Sequence, residues 1–164
     1  MDQMKKATIT AVTPAGPDHN VLTLHGGGAR ACTSPCAECP WRKDSPPGAF
    51  PADAYRASAI TAYDASESMF SCHVAGHETP ALCAGFLLQN AVHNLGVRLL
   101  IATHQLDPRK IFSGGLPLYS TYREMAIANG VPPDDPALVP CRDNGEEWQP
   151  NHATRFLYLT KRNE

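Results

Sequence analysis

The chain has 164 residues, 43% of them hydrophobic and 18% charged, with a formal net charge of −2. That is the size of one ordinary domain, long enough to bury a core without disulfide staples. The balance excludes a disordered chain and supplies no global field for nucleic acid or an anionic membrane.

The segment MDQMKKATITAV has two lysines but no long apolar run behind them, so no signal peptide is expected. Residues 7 to 13, ATITAVT, alternate in polarity and carry β-branched side chains. VLTL at 21 to 24 follows the turn-forming link PAGPDHN, and together they predict a β-hairpin. HGGGA at 25 to 29 reads as a hinge, since it lacks the lysine and hydroxyl residue of a phosphate loop. PADAYRASAITAY, 51 to 63, has helical spacing with Pro51 near its start. MFSCH at 69 to 73 reads as a short strand. ALCAGFLLQNAVHNLGVRLLIA, 81 to 102, is the most apolar stretch. Gln89, Asn90, His93, Asn94 and Arg98 interrupt it, which makes it a buried helix and not a membrane span. Thr79 is its expected N-cap, with Pro80 in the first turn. Further on, DPRK at 107 to 110 reads as a turn, and YSTYREMAIAN at 119 to 129 as a helix ended by Gly130. VPPDDPALVP is proline-rich loop, and RFLYLTKR at 155 to 162 reads as a final strand.

The expected fold class is α+β. It is a small, loop-rich single domain over residues 1–164, with a few strands and one dominant central helix, organised around a cysteine metal centre. Residues 1–30 supply the hairpin and hinge, 31–105 the cysteine core, and 106–164 a helix, the proline-rich loop and a strand.

Six cysteines carry the chemistry. The expected location is cytoplasmic, where disulfides are rare, so the thiols point to metal or redox chemistry. Cys36 and Cys39 form a CxxC pair, and Cys72 and Cys83 supply a second pair downstream. Two such pairs close a tetrahedron and tie distant segments together. Zinc and a [4Fe–4S] cluster both accept four cysteines. Pro40 after Cys39, the bulky neighbours Trp41, Phe70 and Phe86, and the wide gap between Cys72 and Cys83 lean toward the cluster. Cys32 is either an alternative ligand or a small buried residue. Cys141 reads as an isolated thiol. His73 and His77 are candidate ligands or hydrogen-bond partners of a ligand sulfur; a surface or capping role is the plainer reading of His77. Arg42 could recognise a phosphate or carboxylate, or pair with Asp44 or Glu38. Trp41 is expected to pack over the site.

The run Cys32, Cys36, Cys39 resembles the radical S-adenosylmethionine signature, but Glu38 stands where that family has an aromatic residue, and the repeated strand–helix units are missing. A better likeness lies in the stretches Pro35 to Arg42, Phe70 to His73 and Cys83 to Gly85. These resemble the PCxxCPWR, Phe-x-Cys-His and Cys-Ala-Gly motifs of an uncharacterised actinobacterial and phage domain family of unknown function. That resemblance covers roughly residues 30 to 90, implies the ligand set Cys36, Cys39, Cys72 and Cys83, and implies no activity. WhiB-like iron–sulfur proteins are a looser comparison, with more compact ligand spacing.

These readings lead to a metal-centred binding or regulatory protein with a macromolecular partner, protein or nucleic acid, and no membrane. An iron–sulfur enzyme or electron-transfer protein with a partly open cluster is the alternative, although the sequence leans away from an enzyme. A phage-encoded inhibitor of a host protein is a third reading, carried by the resemblance alone.

Overall fold

The computed structural model describes residues 6–90 and 93–141. The two alternating N-terminal segments pair as expected: β1 (Ala7–Pro14) runs antiparallel to β2 (Asn20–Gly26). The register slips once between Ile9 and Ala11, so Ile9 faces Leu24 while Val12 faces Leu22. Because side chains alternate, the slip leaves all four on one side of the ribbon. The hairpin is tied to the rest of the chain where the Ala7 N–H donates to the Glu78 carbonyl at 3.1 Å. Gly27, at φ +84°, leaves no room for a side chain: a Cβ there would lie 2.7 Å from Pro80 Cγ. Gly27 is therefore a tight crossing, while Gly28 beside it lies in open space.

The helix expected over 51 to 63 forms in two pieces, α1 (Ala52–Ser58) and a 3-10 turn (Ala59–Ala62). The strand expected at 69 to 73 does not form; only an isolated bridge joins Ser71 to Leu82. The largest correction concerns the dominant central helix. The stretch 81 to 102 holds two short helices, α2 (Ala84–Asn90) and α3 (Leu95–Ala102). Neither Thr79 nor Pro80 starts a helix. Leu82 donates its N–H to the Arg30 carbonyl and accepts from the Cys32 N–H, so its backbone groups are committed sideways and cannot join a helical ladder. Asn94 restarts the helix after the break. Its side-chain oxygen accepts from the Val97 N–H at 3.0 Å, the N-cap role, while its amide donates to the carbonyls of Thr61 and Ser68. A fully buried, fully partnered asparagine fixes this corner.

DPRK forms a single 3-10 turn (Pro108–Lys110) capped by Asp107. The last described helix, α4 (Tyr122–Ala128), matches its expectation. Thr121 caps it, and the Glu124 carboxylate reaches back to the Ser120 N–H at 2.8 Å. The strand expected at 155 to 162 lies outside the described residues.

The result is one small α+β domain with a two-stranded sheet and several short helices. Its core gathers Trp41, Phe86, Val97, Tyr122, Met125 and Leu138, all fully buried. Trp41 lies at the centre, with ring centroids 5.9 Å from Tyr122, 6.2 Å from Phe70 and 6.4 Å from Phe86. Among the described residues no helix is long and apolar enough to cross a membrane.

Candidate functional site

Leu82 assembles the site. Ala31 bridges it in parallel on one side and Ser71 antiparallel on the other. The Cys32 N–H donates to the Leu82 carbonyl at 3.0 Å, the Cys72 N–H to Ala81 at 2.7 Å, and the Cys83 N–H to the Phe70 carbonyl at 2.9 Å. Bridged residues share a face, and neighbours along an extended chain alternate. Ala31, Leu82 and Ser71 therefore take one face, which sends Cys32, Cys83 and Cys72 to the other. Each of these cysteines directly follows a bridged residue.

The CxxC turn closes over that face. The Cys39 N–H donates to the Cys36 carbonyl at 3.2 Å, and the Arg42 N–H to the Cys39 carbonyl at 3.1 Å. Ser45 Oγ also donates to the Cys39 carbonyl, at 3.1 Å. Cys39 Sγ comes to rest 3.7 Å from Cys83 Sγ. This approach depends on Gly85 in the first turn of α2. A Cβ at Gly85 would lie 2.6 Å from Trp41 Cβ and 3.0 Å from Cys39 Sγ.

The sulfurs also receive backbone donors. The Glu38 N–H is directed at the Cys36 thiol, those of Trp41 and Gly85 at Cys39, and those of Gly85 and Phe86 at Cys83. In each case one donor is the amide two residues further along the chain. The nearby Cys72 thiol helps to raise the pKa of both Cys32 and Cys36. Cys39 and Cys83 are the thiol pair in hydrogen-bond contact, and Cys32, Cys36 and Cys72 lie near enough to influence one another's charge. Cys39, Cys72 and Cys83 are buried, while Cys32 and Cys36 lie half-exposed at the rim. Cys141 stands apart, its thiol directed at the Ala59 and Ala137 carbonyls. Among the described residues, no group of three or more Cys, His, Asp or Glu side chains is placed to hold a metal ion.

The cluster's electrostatics are uneven. The Cys83 thiol donating to it, helped by the amides of Trp41 and Gly85 and the nearby Arg42 charge, lowers the Cys39 pKa from 9.0 to about 7. Its partner keeps its own proton: the same hydrogen bond, then burial, pushes Cys83 well up. Burial first, and then the Cys72 thiol, raises Cys32 and Cys36 to about 11. The stability Cys39 contributes is present above pH 9.0 and is lost as pH falls through about 7. A thiolate-absorbance titration of the reduced, metal-free chain is expected to show one step near pH 7, and Cys83→Ala should move that step up toward 9.0. A wild-type titration with no step below pH 8.5, the ordinary range of about 8.5 for a free thiol, would contradict this charge distribution.

The other candidate residues fall into place around the thiols. Arg42 is not open for a phosphate: it makes a bidentate pair with Asp44, both N···O distances 2.7 Å, and a third bond to the Cys36 carbonyl at 3.2 Å. It braces the CxxC turn. Trp41 packs beneath the site as expected. The exposed His73 directs Nε2 toward Glu38 at 3.6 Å and its ring against Phe50 at 5.1 Å. His77 is exposed on the loop before Leu82. The depression next to the turn, lined by Glu38, Arg42, Tyr55 and Tyr119 among others, holds about 10 Å³, room for a single water.

The sequence leaves Cys32 open between an alternative ligand and a small buried residue; the bridge between Ala31 and Leu82 places it beside Cys83. Gly85 is a position the sequence analysis missed, and its signal was a glycine in an otherwise well-formed helix start.

No curated protein and no solved structure matches the chain. A domain family does match, over residues 31–142, from the first bridge residue to just beyond Cys141. The chain therefore belongs to the Family of unknown function (DUF6283).

Proposed function

We propose that the thiol cluster is a metal centre and that the chain is a metal-centred binding or regulatory module. The observation that carries this reading is the approach of Cys39 Sγ to within 3.7 Å of Cys83 Sγ, with the Trp41 and Gly85 amides favouring the Cys39 thiolate. Amide donors on a sulfur favour the thiolate, which is the form that ligates metals, and they orient its lone pairs. The ligands are Cys36, Cys39, Cys72 and Cys83. A tetrahedral zinc with Zn–S near 2.3 Å has sulfurs about 3.8 Å apart, and Cys39 and Cys83 stand at 3.7 Å. The remaining thiols would close in as their protons are replaced by the metal.

A [4Fe–4S] cluster is the second reading. It is favoured by Pro40 after Cys39 and by the apolar jacket of Trp41, Phe70 and Phe86. A cluster places each thiolate on a different iron, so it would need the sulfurs to spread. Either centre, bound by four thiolates, leaves no open coordination position. The depression beside the turn has room for a single water, so this reading places recognition by a macromolecular partner on the surface around the centre.

The test is metal analysis of full-length protein purified without oxygen. One zinc per chain is expected. Stoichiometric iron and sulfide with a broad visible band would select the cluster. Protein that holds neither metal, and takes up neither on reconstitution, would refute the proposal.

A further inference from the structure

The CxxC turn has an outer and an inner thiol, and the inner one touches a third. Cys36 lies half-exposed at the rim, Cys39 is fully buried, and Cys83 is 3% exposed. Cys39 Sγ and Cys83 Sγ stand 3.7 Å apart. We infer that the reduced, metal-free chain carries out thiol–disulfide exchange: Cys36 takes a small aliphatic disulfide, and the oxidation passes inward to end as a Cys39–Cys83 disulfide. The inference does not require the metal reading, but the two meet at one pair. Sulfurs joined to each other cannot serve as two thiolate ligands.

The geometry supplies each hand-over. The Cys39 N–H donates to the Cys36 carbonyl at 3.2 Å, which closes a four-residue turn. Such a turn keeps its end Cα atoms within about 7 Å, and a disulfide spans about 4.4–6.8 Å between Cα atoms. A bond formed on Cys36 can therefore be passed to Cys39. Cys32, the other rim thiol, lies outside this turn. At the inner pair both backbones are held. The Arg42 N–H and Ser45 Oγ donate to the Cys39 carbonyl, while Cys83 donates to the Phe70 carbonyl and accepts from the Leu87 N–H at 3.0 Å. With the backbones fixed, the sulfurs close to about 2.05 Å by side-chain rotation. Gly85 leaves the room for that turn, since a Cβ there would lie 3.0 Å from Cys39 Sγ.

The chemistry balances in three exchanges, each an attack of sulfur on a disulfide. Cys36 attacks the small disulfide; its S–S bond breaks, one small thiol leaves with the Cys36 proton, and a mixed disulfide remains on Cys36. Cys39 attacks the Cys36 sulfur, and the second small thiol leaves with the Cys39 proton. Cys83 then attacks the Cys39 sulfur, the Cys36–Cys39 bond breaks, and Cys36 regains a proton from Cys83. Two electrons have passed from Cys39 and Cys83 to the small disulfide, and Cys36 ends as it began.

The experiment uses full-length protein, reduced and stripped of metal by chelation, with oxidised glutathione as the probe. Free thiols are alkylated at intervals and the disulfide is located by peptide fragmentation. Wild type is expected to end with a Cys39–Cys83 disulfide. Cys36→Ser, a rim change that leaves the buried pair in place, is expected to form it about tenfold or more slowly. Equal rates in the two proteins would overturn the inference. So would a wild-type chain that forms no disulfide, or one whose final disulfide joins any other pair, Cys36–Cys39 included; these results need no variant. Each such failure leaves the metal reading standing, because metal analysis tests that separately.

Discussion

Trp41→Ala is expected to destabilise the fold by about 3–5 kcal/mol, the range for emptying a buried tryptophan site. Trp41 is fully buried and touches Phe70, Phe86 and Tyr122. Its carbonyl also accepts the Tyr119 N–H at 2.9 Å, so the chain on both sides of it is fixed. The cavity cannot collapse easily, because Gly85 is already pressed against the Trp41 Cβ. Trp41→Phe provides the contrast. The indole Nε1 is buried and has no hydrogen-bond partner among the described residues. Replacing it with phenylalanine loses volume but also removes a donor whose burial costs about 1–3 kcal/mol, so this variant is expected to lose far less stability. Denaturant unfolding of the two variants checks both statements. A Trp41→Ala protein within about 1 kcal/mol of wild type would mean that the aromatic cluster is not the centre of the core.

Cys39→Ser should abolish metal binding together with the stability that metal confers. Cys39 is fully buried, pairs with Cys83 and has two backbone donors on its sulfur. A serine hydroxyl is a poor ligand for a soft metal and cannot supply a thiolate. In wild type, added zinc is expected to raise the melting temperature, because binding to the folded state alone adds stability by mass action. In Cys39→Ser the melting temperature should no longer respond to zinc. Cys141→Ser is the control, since its thiol is directed at the Ala59 and Ala137 carbonyls and away from the cluster. If Cys39→Ser bound one zinc as tightly as wild type, the proposed ligand set would be wrong.

Local chemistry was the legible part of this fold. The hairpin could be read from alternation and a turn-rich link, and α4 from its terminal glycine. Both are decided within about a dozen residues. The stretch 81 to 102 was misread because its apolar spacing suits one long helix, while the deciding contacts come from far away. Arg30 and Cys32 occupy the backbone of Leu82, and Thr61 and Ser68 hold the Asn94 amide. No periodicity within the stretch reports those partners. The same reason explains Cys32. Spacing singled out the CxxC pair as candidates, since such a pair is a local signal, and the structure brings Cys39 of that pair against Cys83. Membership of Cys32 in the cluster depends on a parallel bridge between Ala31 and Leu82, which only the folded chain reveals. Arg42 was legible as a choice between an anion and Asp44, and the carboxylate two residues away had the shorter reach.

Leu82 also sets an order of assembly. It closes two loops at once, one back to Ser71 and one back to Ala31. The second is between four and five times longer, and its closure costs about 1 kcal/mol more in chain entropy. The short loop should therefore close first and bring Cys72 and Cys83 together with Phe70 before the N-terminal cysteines arrive. During synthesis the sequence of events is reversed: the Cys36–Cys39 turn emerges early and must wait for its partners. A nascent chain then exposes an incomplete pair of thiols for the time it takes to make the next forty or so residues. Metal that binds this turn early would guide the later pair home; metal that arrives only afterwards would lock a fold already closed.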